Sequence, residues 1–295
     1  MTNHDEYQYI ELVKDILENG EEVVGRNGTT KVKIGATMRF SLKNNTVPIL
    51  TTKKTAWKTC LKELLWFISG NTDNRTLKAQ NVKIWNANAS LDFLHNERGL
   101  FSNREDDLGP VYGFQWRHFN APYENCETDY SDQGIDQLKY LIEDLKDPVK
   151  RYSRRHILTA WNPCQINEMA LPPCHLLCQF NVVNDKLSCC LYQRSGDIGL
   201  GVPFNIASYS FLTHIIAKIT GLVAHEFVHF ISNAHIYDDH YEALYEQIKR
   251  KPLEFPKIRF EDFSEKNMTI DSIELKHIKI ENYKYHEQIV MKMRK

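Results

Sequence analysis

Apolar residues recur at the spacing of an α-helix in five stretches of the chain. In the first stretch, Leu12, Val13 and Ile16 share one face and Gly20 follows as a stop, which predicts an amphipathic helix at the start of the chain. The stretch 57–69 is apolar nearly all round, so we expect that helix to be buried. The other three predicted helices cover 135–145, 203–219 and 241–250, and they are closed by Pro148, Gly221 and Pro252.

Six further stretches are rich in β-favouring residues or alternate between apolar and polar positions, as strands do. They cover 25–40, 157–161, 175–183, 187–194, 227–237 and 273–280. Two of them flank Asn184, Asp185 and Lys186, which have the composition of a tight hairpin turn. Neither repeats nor a linker interrupt this alternation. We therefore predict one α+β domain over residues 1–295, with a large mixed β-sheet flanked by helices.

The overall charge of the chain narrows its partners and location. Charged residues make up 25% of the 295 positions, and the formal net charge is −1. No global field therefore draws the protein to nucleic acid or to a membrane surface. The seven cysteines are scattered, the first residues lack an apolar signal core, and no run is long enough to span a membrane. We expect a cytoplasmic protein with reduced cysteines, and a nuclear location stays open.

Reactive side chains are concentrated between positions 170 and 209. Cys174 precedes one predicted strand, and Arg194 ends the next. A glycine-rich loop with Asp197 follows, and Asn205 lies in the first turn of a predicted helix. This layout brings a thiol, an arginine, an acid and an amide into one neighbourhood.

Cys174 allows two chemical interpretations. As a nucleophile it would act as a thiolate, and a neighbouring arginine would lower the pKa of the thiol. As a zinc ligand it would act with His175 and Cys178, but these supply three donors at strand spacing and no fourth follows. We therefore predict a nucleophilic cysteine and no metal.

Glu63 lies in the middle of the buried helix predicted at 57–69. A carboxylate in such surroundings costs several kcal/mol unless it is paired or protonated, and its pKa usually rises. The residues alone leave open whether it pairs with an arginine or serves as an acid–base group. Arg26 lies in the Gly/Asn turn that opens the stretch 25–40, and Arg154 and Arg155 precede the strand predicted at 157–161. Arginines just before a strand are usually solvated.

Seven short segments, taken in order and spacing, resemble thymidylate synthases. They are ELLWF (63–67), DLGPVYGFQWRHF (107–119), AWNP (160–163), LPPCH (171–175), LYQRSGD (191–197), LGVPFNIASY (200–209) and AHIY (234–237). Because they span nearly the whole chain, the protein is identified as a member of that family. A polar insertion at 124–133 resembles one found in eukaryotic members.

The resemblance implies a methyltransferase reaction, the reductive methylation of dUMP to dTMP. The co-substrate would be 5,10-methylenetetrahydrofolate and the second product dihydrofolate, with neither a metal nor a nicotinamide required. Cys174 would add to C6 of the uracil ring, because the electron-poor ring must become enolate-like before C5 can attack the folate methylene. The family resemblance also implies a homodimer in which Arg154 and Arg155 complete the neighbouring subunit's site.

The resemblance further assigns roles to individual residues. The catalytic set would be Cys174, Glu63 as general acid/base, Tyr112, Asn205, Asp197 and Arg155. Binding of dUMP would involve Arg26, Arg154, Arg155, His175, Gln193, Arg194, Ser195, Asp197, Asn205, His235 and Tyr237. Binding of the folate would involve Trp85, Asp197, Leu200, Gly201 and Phe204.

Two alternatives to this function can be compared with the residues of the chain. A deoxycytidylate hydroxymethylase would carry an acid where Asn205 stands, so Asn205 argues against it. A catalytically weakened homologue that binds nucleotide or RNA is suggested by departures from the family pattern, which are the RNGTT loop at 26–30, Asn86, Asn233 and Lys295. The tail 286–295 is expected to close over the folate, with Ile289, Met291 and Met293 making apolar contacts.

Overall fold

The computed structural model describes residues 4–25, 27–262 and 268–294. Arg26 and Lys295, both singled out from the sequence, lie outside this part of the chain. The described strands are β1 (Glu21–Gly25), β2 (Gly28–Ser41), β3 (Ile157–Thr159), β4 (His175–Val183), β5 (Lys186–Asp197), β6 (Val223–Tyr237), β7 (Lys257–Phe260) and β8 (Ile278–Glu281). Six of them form one sheet in the order β1-β2-β6-β5-β4-β3. In that sheet β5 and β6 run parallel and the other neighbours are antiparallel, so the predicted mixed sheet is confirmed.

The hairpin between β4 and β5 turns at the predicted residues. Asn184 and Asp185 both have a positive φ, at 51° and 56°. Asn and Asp tolerate this left-handed region better than most side chains, and two such residues in succession match the right-handed twist of the strands that they join. Because Lys186 already belongs to β5, the hairpin sets Cys174 and Arg194 at neighbouring ends of two paired strands.

The helices pack on one face of the sheet and on each other. They are α1 (Tyr7–Asn19), α2 (Trp57–Ile68), α3 (Asn74–Ala79), α4 (Tyr112–His118), α5 (Gln137–Lys146), α6 (Gly201–Thr220) and α7 (Tyr241–Gln247). Helix α6 is buried along most of its length, between β5 and β6 on one side and α2 on the other. It ends at Gly221, whose φ of 70° needs the freedom of glycine. Among the described helices, none combines the length and the apolar character needed to cross a bilayer.

Helix α4 was not predicted, and its position depends on Gly113. A Cβ on Gly113 would lie 2.4 Å from the carbonyl oxygen of Phe67 on α2. Only glycine permits this approach of the two helices. The close packing places Tyr112 within 4.9 Å of the Phe67 ring, and it brings α4 next to the helix that carries Glu63.

The strand predicted at 273–280 is wrong in its extent. A 3₁₀ turn occupies Leu275–His277, and the strand that follows, β8, pairs with β7 in a separate two-stranded sheet. The alternation of Ile273 with its neighbours instead reflects burial of that side chain against the core. Regular structure also forms where we predicted none, as in β1 up to the residue before Gly25, α3, a π-helical turn at Phe93–Glu97, and β7.

The second face of the large sheet is only partly covered. Ile157, Tyr192 and Phe230 are exposed by 47%, 44% and 43%. Tyr192 and Phe230 lie side by side in the β5–β6 register, and Ile157 lies two strands away on β3. This face therefore combines large apolar side chains with water contact.

Candidate active site

Cys174 lies immediately before β4, and Arg194 faces it from β5. The backbone N–H of Arg194 donates to the carbonyl of Cys174 at 2.8 Å. Its guanidinium donates to the carbonyls of Pro173 at 2.8 Å and Pro172 at 3.0 Å, and its Nη2 lies 3.8 Å from the Cys174 Sγ. The two prolines thus offer carbonyl oxygens that hold the guanidinium beside the thiol.

The electrostatic balance at Cys174 differs from the simple prediction. Burial is the largest influence and raises the pKa of the Cys174 thiol, whereas the Arg194 charge and a hydrogen bond from Tyr112 lower it. The net direction is upward. Arg194 lowers the pKa of the thiol as predicted, but burial outweighs this effect.

Tyr112 and His175 are built into the wall behind the thiol. The Tyr112 Oη accepts a hydrogen bond from the backbone N–H of Cys174 at 2.8 Å, and its ring stacks on His175 at 4.2 Å between centroids. The Nδ1 of His175 lies 2.6 Å from the Tyr209 hydroxyl. Burial lowers the pKa of His175 to about 3, so its imidazole is neutral at physiological pH.

Glu63 points from α2 towards Trp85 and has no cationic partner among the residues of the described ranges. The Trp85 indole N–H donates to its Oε1 at 2.8 Å. Burial raises the pKa of Glu63 to about 7, and the indole hydrogen bond lowers it in part. Within those ranges Glu63 forms no ion pair with an arginine, the alternative that the sequence left open, and the acid–base interpretation fits the structure.

The loop after β5 is organised by Asp197. Its Oδ1 accepts from the backbone N–H groups of Gly199 at 2.9 Å and Leu200 at 3.3 Å. Lys53 donates to the Gly199 carbonyl from the other side. Burial lowers the pKa of Lys53 to about 8. Sequence reasoning missed Lys53, because a lysine in a Thr-Thr-Lys-Lys run resembles a solvated one.

The polar groups of β5 and α6 differ in their freedom to meet a ligand. Within the described part of the chain, neither the Asn205 amide nor the Ser195 hydroxyl makes a hydrogen bond, and both residues are partly exposed. Gln193 is buried, donating to the Ser195 carbonyl and lying 2.8 Å from His229 Nε2. Asn205 and Ser195 can therefore contact a ligand directly, whereas both ends of Gln193 already bind protein groups.

His235 and Tyr237 project from the end of β6, two residues apart. Asn233, one of the departures from the family pattern, lies with its Oδ1 3.0 Å from His235 Nδ1 and so orients the ring. Asn86, another departure, accepts from Asn74 at 3.2 Å. Both asparagines thus fill supporting structural positions and do not block the site.

The residues predicted to bind the folate differ in their exposure. Leu200 and Gly201 begin α6, and Phe204 follows one turn later, all partly exposed. Trp85 is buried, and its ring makes an edge contact with Tyr112 at 6.0 Å between centroids. Of the tail side chains expected to make apolar contacts, Ile289 and Met291 are partly buried and Met293 is 55% exposed. The contact expected of Met293 therefore stays a prediction.

Arg154 and Arg155 are not brought to the Cys174 of their own chain. Both side chains are exposed and contact no partner in the described ranges. Ile157 pairs with Gln179 in the β3–β4 register, so extending that register two residues back along the chain brings Arg155 opposite Asn181. Asn181 is seven residues from Cys174 (181 − 174), which at about 3.3 Å per residue is about 23 Å, more than an arginine side chain spans.

The described residues hold no group of three or more His, Cys, Asp or Glu side chains arranged to bind a metal ion. Cys178 points into the core, within hydrogen-bonding reach of Cys189. It therefore points away from Cys174, and the structure does not bring Cys174, His175 and Cys178 together as zinc ligands.

Comparison with known proteins gives consistent matches along the chain. A family profile described as thymidylate synthase matches residues 7–295. The chain is 50% identical to the thymidylate synthase of Homo sapiens over 98% of this chain and 91% of the human one. It is 48% identical to that of Agaricus bisporus, over 98% and 99% of the two chains. It is also 49% identical to a probable thymidylate synthase of Schizosaccharomyces pombe over 99% of this chain, which spans about half (48%) of that relative's length.

Proposed function

Because the chain belongs to the thymidylate synthase family, it catalyses the reductive methylation of dUMP to dTMP with 5,10-methylenetetrahydrofolate, and we propose that the site around Cys174 carries out this reaction. We propose further that residues 1–295 act as one catalytic domain. The seven cysteines are all free, which supports a reducing, cytoplasmic location.

In the proposed first step, the Cys174 thiolate adds to C6 of the uracil ring. The Sγ–C6 bond forms, the C5=C6 electron pair becomes part of an enolate, and C5 then attacks the folate methylene. Arg194, held 3.8 Å from the sulfur, favours the thiolate over the thiol. Since burial raises the pKa of the free thiol, Arg194 supplies the opposing charge that the step needs.

Glu63 and Tyr112 are proposed to move the protons. With a pKa near 7, Glu63 exists in both protonation states at neutral pH, so it can donate and accept a proton in one cycle. The Tyr112 hydroxyl lies against Cys174, and we propose that it assists removal of the C5 proton from the bound ring. When C5 attacks, the bond between the folate methylene and one folate nitrogen breaks. Loss of the C5 proton then leads to cleavage of the remaining carbon–nitrogen bond, which leaves an exocyclic methylene on C5 and free tetrahydrofolate. Hydride from tetrahydrofolate adds to this methylene as the Sγ–C6 bond breaks, which gives dTMP, dihydrofolate and the Cys174 thiolate.

The remaining site residues are proposed to hold the two substrates. Asn205 has a free amide that can donate to uracil O4 and accept from N3–H. His235 and Tyr237 face the deoxyribose, and Asp197 holds the folate pterin between Trp85 and the start of α6. Phosphate binding would draw on Arg194 and Ser195, together with Arg26, each charged hydrogen bond contributing about 1.5–3 kcal/mol. His175 and Gln193 support these contacts from behind.

We propose that the active molecule is a homodimer joined through the open face of the sheet. The exposed Ile157, Tyr192 and Phe230 give this face the apolar character that a self-complementary contact buries. Arg154 and Arg155 are too far from the Cys174 of their own chain, and they stand beside this face at the start of β3. A second copy would therefore receive them as phosphate ligands, with Arg155 completing its catalytic set.

The proposed function is supported most directly by the Arg194 guanidinium beside the Cys174 thiol and by the raised pKa of Glu63. Measurement of turnover tests it. Purified protein should convert dUMP and methylenetetrahydrofolate to dTMP and dihydrofolate. Cys174→Ser should abolish dTMP formation but leave dUMP binding measurable, because the phosphate and base contacts come from other residues. The control is Cys164→Ser, at an exposed cysteine, which should keep full activity. Substantial turnover by Cys174→Ser would overturn the nucleophile assignment.

Subunit mixing tests the shared site. Inactive Cys174→Ser and inactive Arg155→Ala subunits, dissociated and reassociated together, should regain activity, since one of the two sites in each heterodimer is then intact. A mixture of Cys174→Ser with Cys174→Ala should regain none. If heterodimers are shown to form and activity does not return, Arg155 does not act across the interface.

A further inference from the structure

The C-terminal segment lies extended over the loop that follows β5. Its start is fixed by the backbone N–H of His286, which donates to the Thr51 carbonyl at 2.8 Å. Nearer the end, the carbonyl of Lys292 lies 2.7 Å from His240 Nε2. Between these points Met291 approaches Gly199 so closely that a Cβ on the glycine would lie 3.1 Å from its sulfur. These three contacts dock the tail onto the loop after β5, the segment after Leu50 and the turn after β6.

Arg294 adds an ionic contact at the far end of this tail. Its Nη2 lies 2.8 Å from Asp238 Oδ1 and 3.0 Å from Asp239 Oδ2. The two aspartates are consecutive in the short turn after β6, so their charges repel each other unless a cation stands between them. The Arg294 guanidinium also lies over the Tyr237 ring, 5.8 Å from its centroid.

We propose that Arg294 is a positioning residue that latches the tail onto Asp238, Asp239 and Tyr237 and thereby holds the folate side of the cleft closed. The latch itself is a contact between protein groups. Only the identity of the ligand beneath the tail, the folate, rests on the proposed function. Tyr237 is at once the stacking surface for Arg294 and the proposed ribose contact. The latch therefore joins the end of the tail to the nucleotide side of the site.

The strength of the latch follows from its partial exposure. The side chains of Arg294, Asp238 and Asp239 are 30%, 46% and 33% exposed, and each ion pair at such a surface changes an equilibrium by at most about 5-fold. A ligand held under the tail is retained only while the tail is docked, so loosening the latch lowers folate affinity and cannot raise it. Because the contacts are ionic, salt should weaken them.

The direct test measures tail docking without any substrate. Hydrogen–deuterium exchange of the peptide covering residues 285–294 should be about 5-fold faster in Arg294→Gln than in wild type, and partly restored in Arg294→Lys. Raising sodium chloride from 0.05 to 0.5 M should bring the wild-type peptide towards the Arg294→Gln rate. The matched control is Arg259→Gln, since Arg259 also pairs with two carboxylates, Glu281 and Glu261, on the separate β7–β8 ribbon.

The kinetic test separates positioning from a general loss of structure. Arg294→Gln should raise the KM for methylenetetrahydrofolate by about 5-fold and leave the Kd of dUMP within about 2-fold, whereas Arg259→Gln should change neither. Asp238→Asn should act like Arg294→Gln, and the double variant should be no worse than either single one.

Two results would overturn the latch. Unchanged exchange in Arg294→Gln would show that the tail is held by other contacts, and faster exchange with an unchanged folate KM would show that docking does not position the site. A wild-type protein without turnover would instead refute the proposed function, while the exchange experiment would still decide the latch.

Discussion

Replacing Glu63 by Gln should stabilise the fold above neutral pH while it removes the proposed acid–base group. Burial raises the pKa of Glu63 to about 7 from its ordinary 4.5, so the folded protein binds this proton more tightly than the unfolded chain does. The stabilisation that results is complete below pH 4.5 and is lost as the pH rises through 7. The difference corresponds to about 3 kcal/mol at 1.36 kcal/mol per pH unit. A glutamine at position 63 stays neutral at every pH and can still accept the hydrogen bond from the Trp85 indole. The variant should therefore keep its stability as the pH rises through 7.

Urea unfolding at pH 5, 6, 7 and 8 measures the effect. All curves are taken at one protein concentration, because the stability of the proposed dimer would depend on concentration. From pH 5 to pH 8 the free energy of unfolding of Glu63→Gln should gain about 2.5 kcal/mol relative to wild type. Glu11→Gln, at an exposed position on α1, should give curves parallel to wild type. Parallel curves for Glu63→Gln as well would show that Glu63 is not held neutral by burial, and its proposed role would lose its physical basis.

Three further substitutions probe other parts of the site and its support. Trp85→Phe removes the donor that lowers the pKa of Glu63, so the limb of the kcat–pH profile that reports Glu63 should move up by about 1 pH unit; an unmoved limb would separate Glu63 from that titration. Asn205→Asp should shift the ratio of kcat/KM values from dUMP towards dCMP, by a factor of up to about 10⁴ where base-edge hydrogen bonds decide, and an unchanged ratio would refute base reading by Asn205. The fully buried Glu6 carboxylate accepts hydrogen bonds from the backbone N–H and hydroxyl groups of Thr51 and its neighbour Thr52. Glu6→Gln should lower the free energy of unfolding by about 3 kcal/mol, seen as a Tm lower by about 6 °C or more. An unchanged Tm would mean that water replaces these hydrogen bonds.

The parts of the fold that were predicted correctly are those specified by local sequence. The hairpin at Asn184 and Asp185 and the end of α6 at Gly221 depend on backbone angles that a few residues decide. Helix α4 and strand β8 were missed or misplaced because their structure depends on distant partners. For α4 the partner is the carbonyl of Phe67, which only Gly113 can approach, and periodicity carries no signal of such a contact.

The candidate site shows the same division between local and distant effects. Cys174, Arg194 and Asn205 were found in the sequence because thiol, guanidinium and amide cluster within forty positions. The direction in which the pKa of Cys174 shifts was not predicted from the sequence, because it depends on how deeply the fold buries the thiol. The pairing of Glu63 with Trp85 also joins residues of separate segments. Chemistry-bearing residue types are thus visible in sequence, whereas their protonation is a property of the packed molecule.

The loop from Asp197 to Gly201 illustrates how far the determinants of one subsite are spread. Its carbonyls are held by Lys53, at Gly199, and by Tyr9, whose hydroxyl donates to Ile198 at 2.8 Å across 189 positions of sequence. The docked tail covers the same loop through Met291. Because the N-terminal helix, the segment after Leu50 and the tail all converge on this loop, a change in any of them should alter the surface that we propose for the folate without touching the reacting atoms. Substitutions far from Cys174 should therefore appear first in the KM for the folate, and only later in the affinity for dUMP.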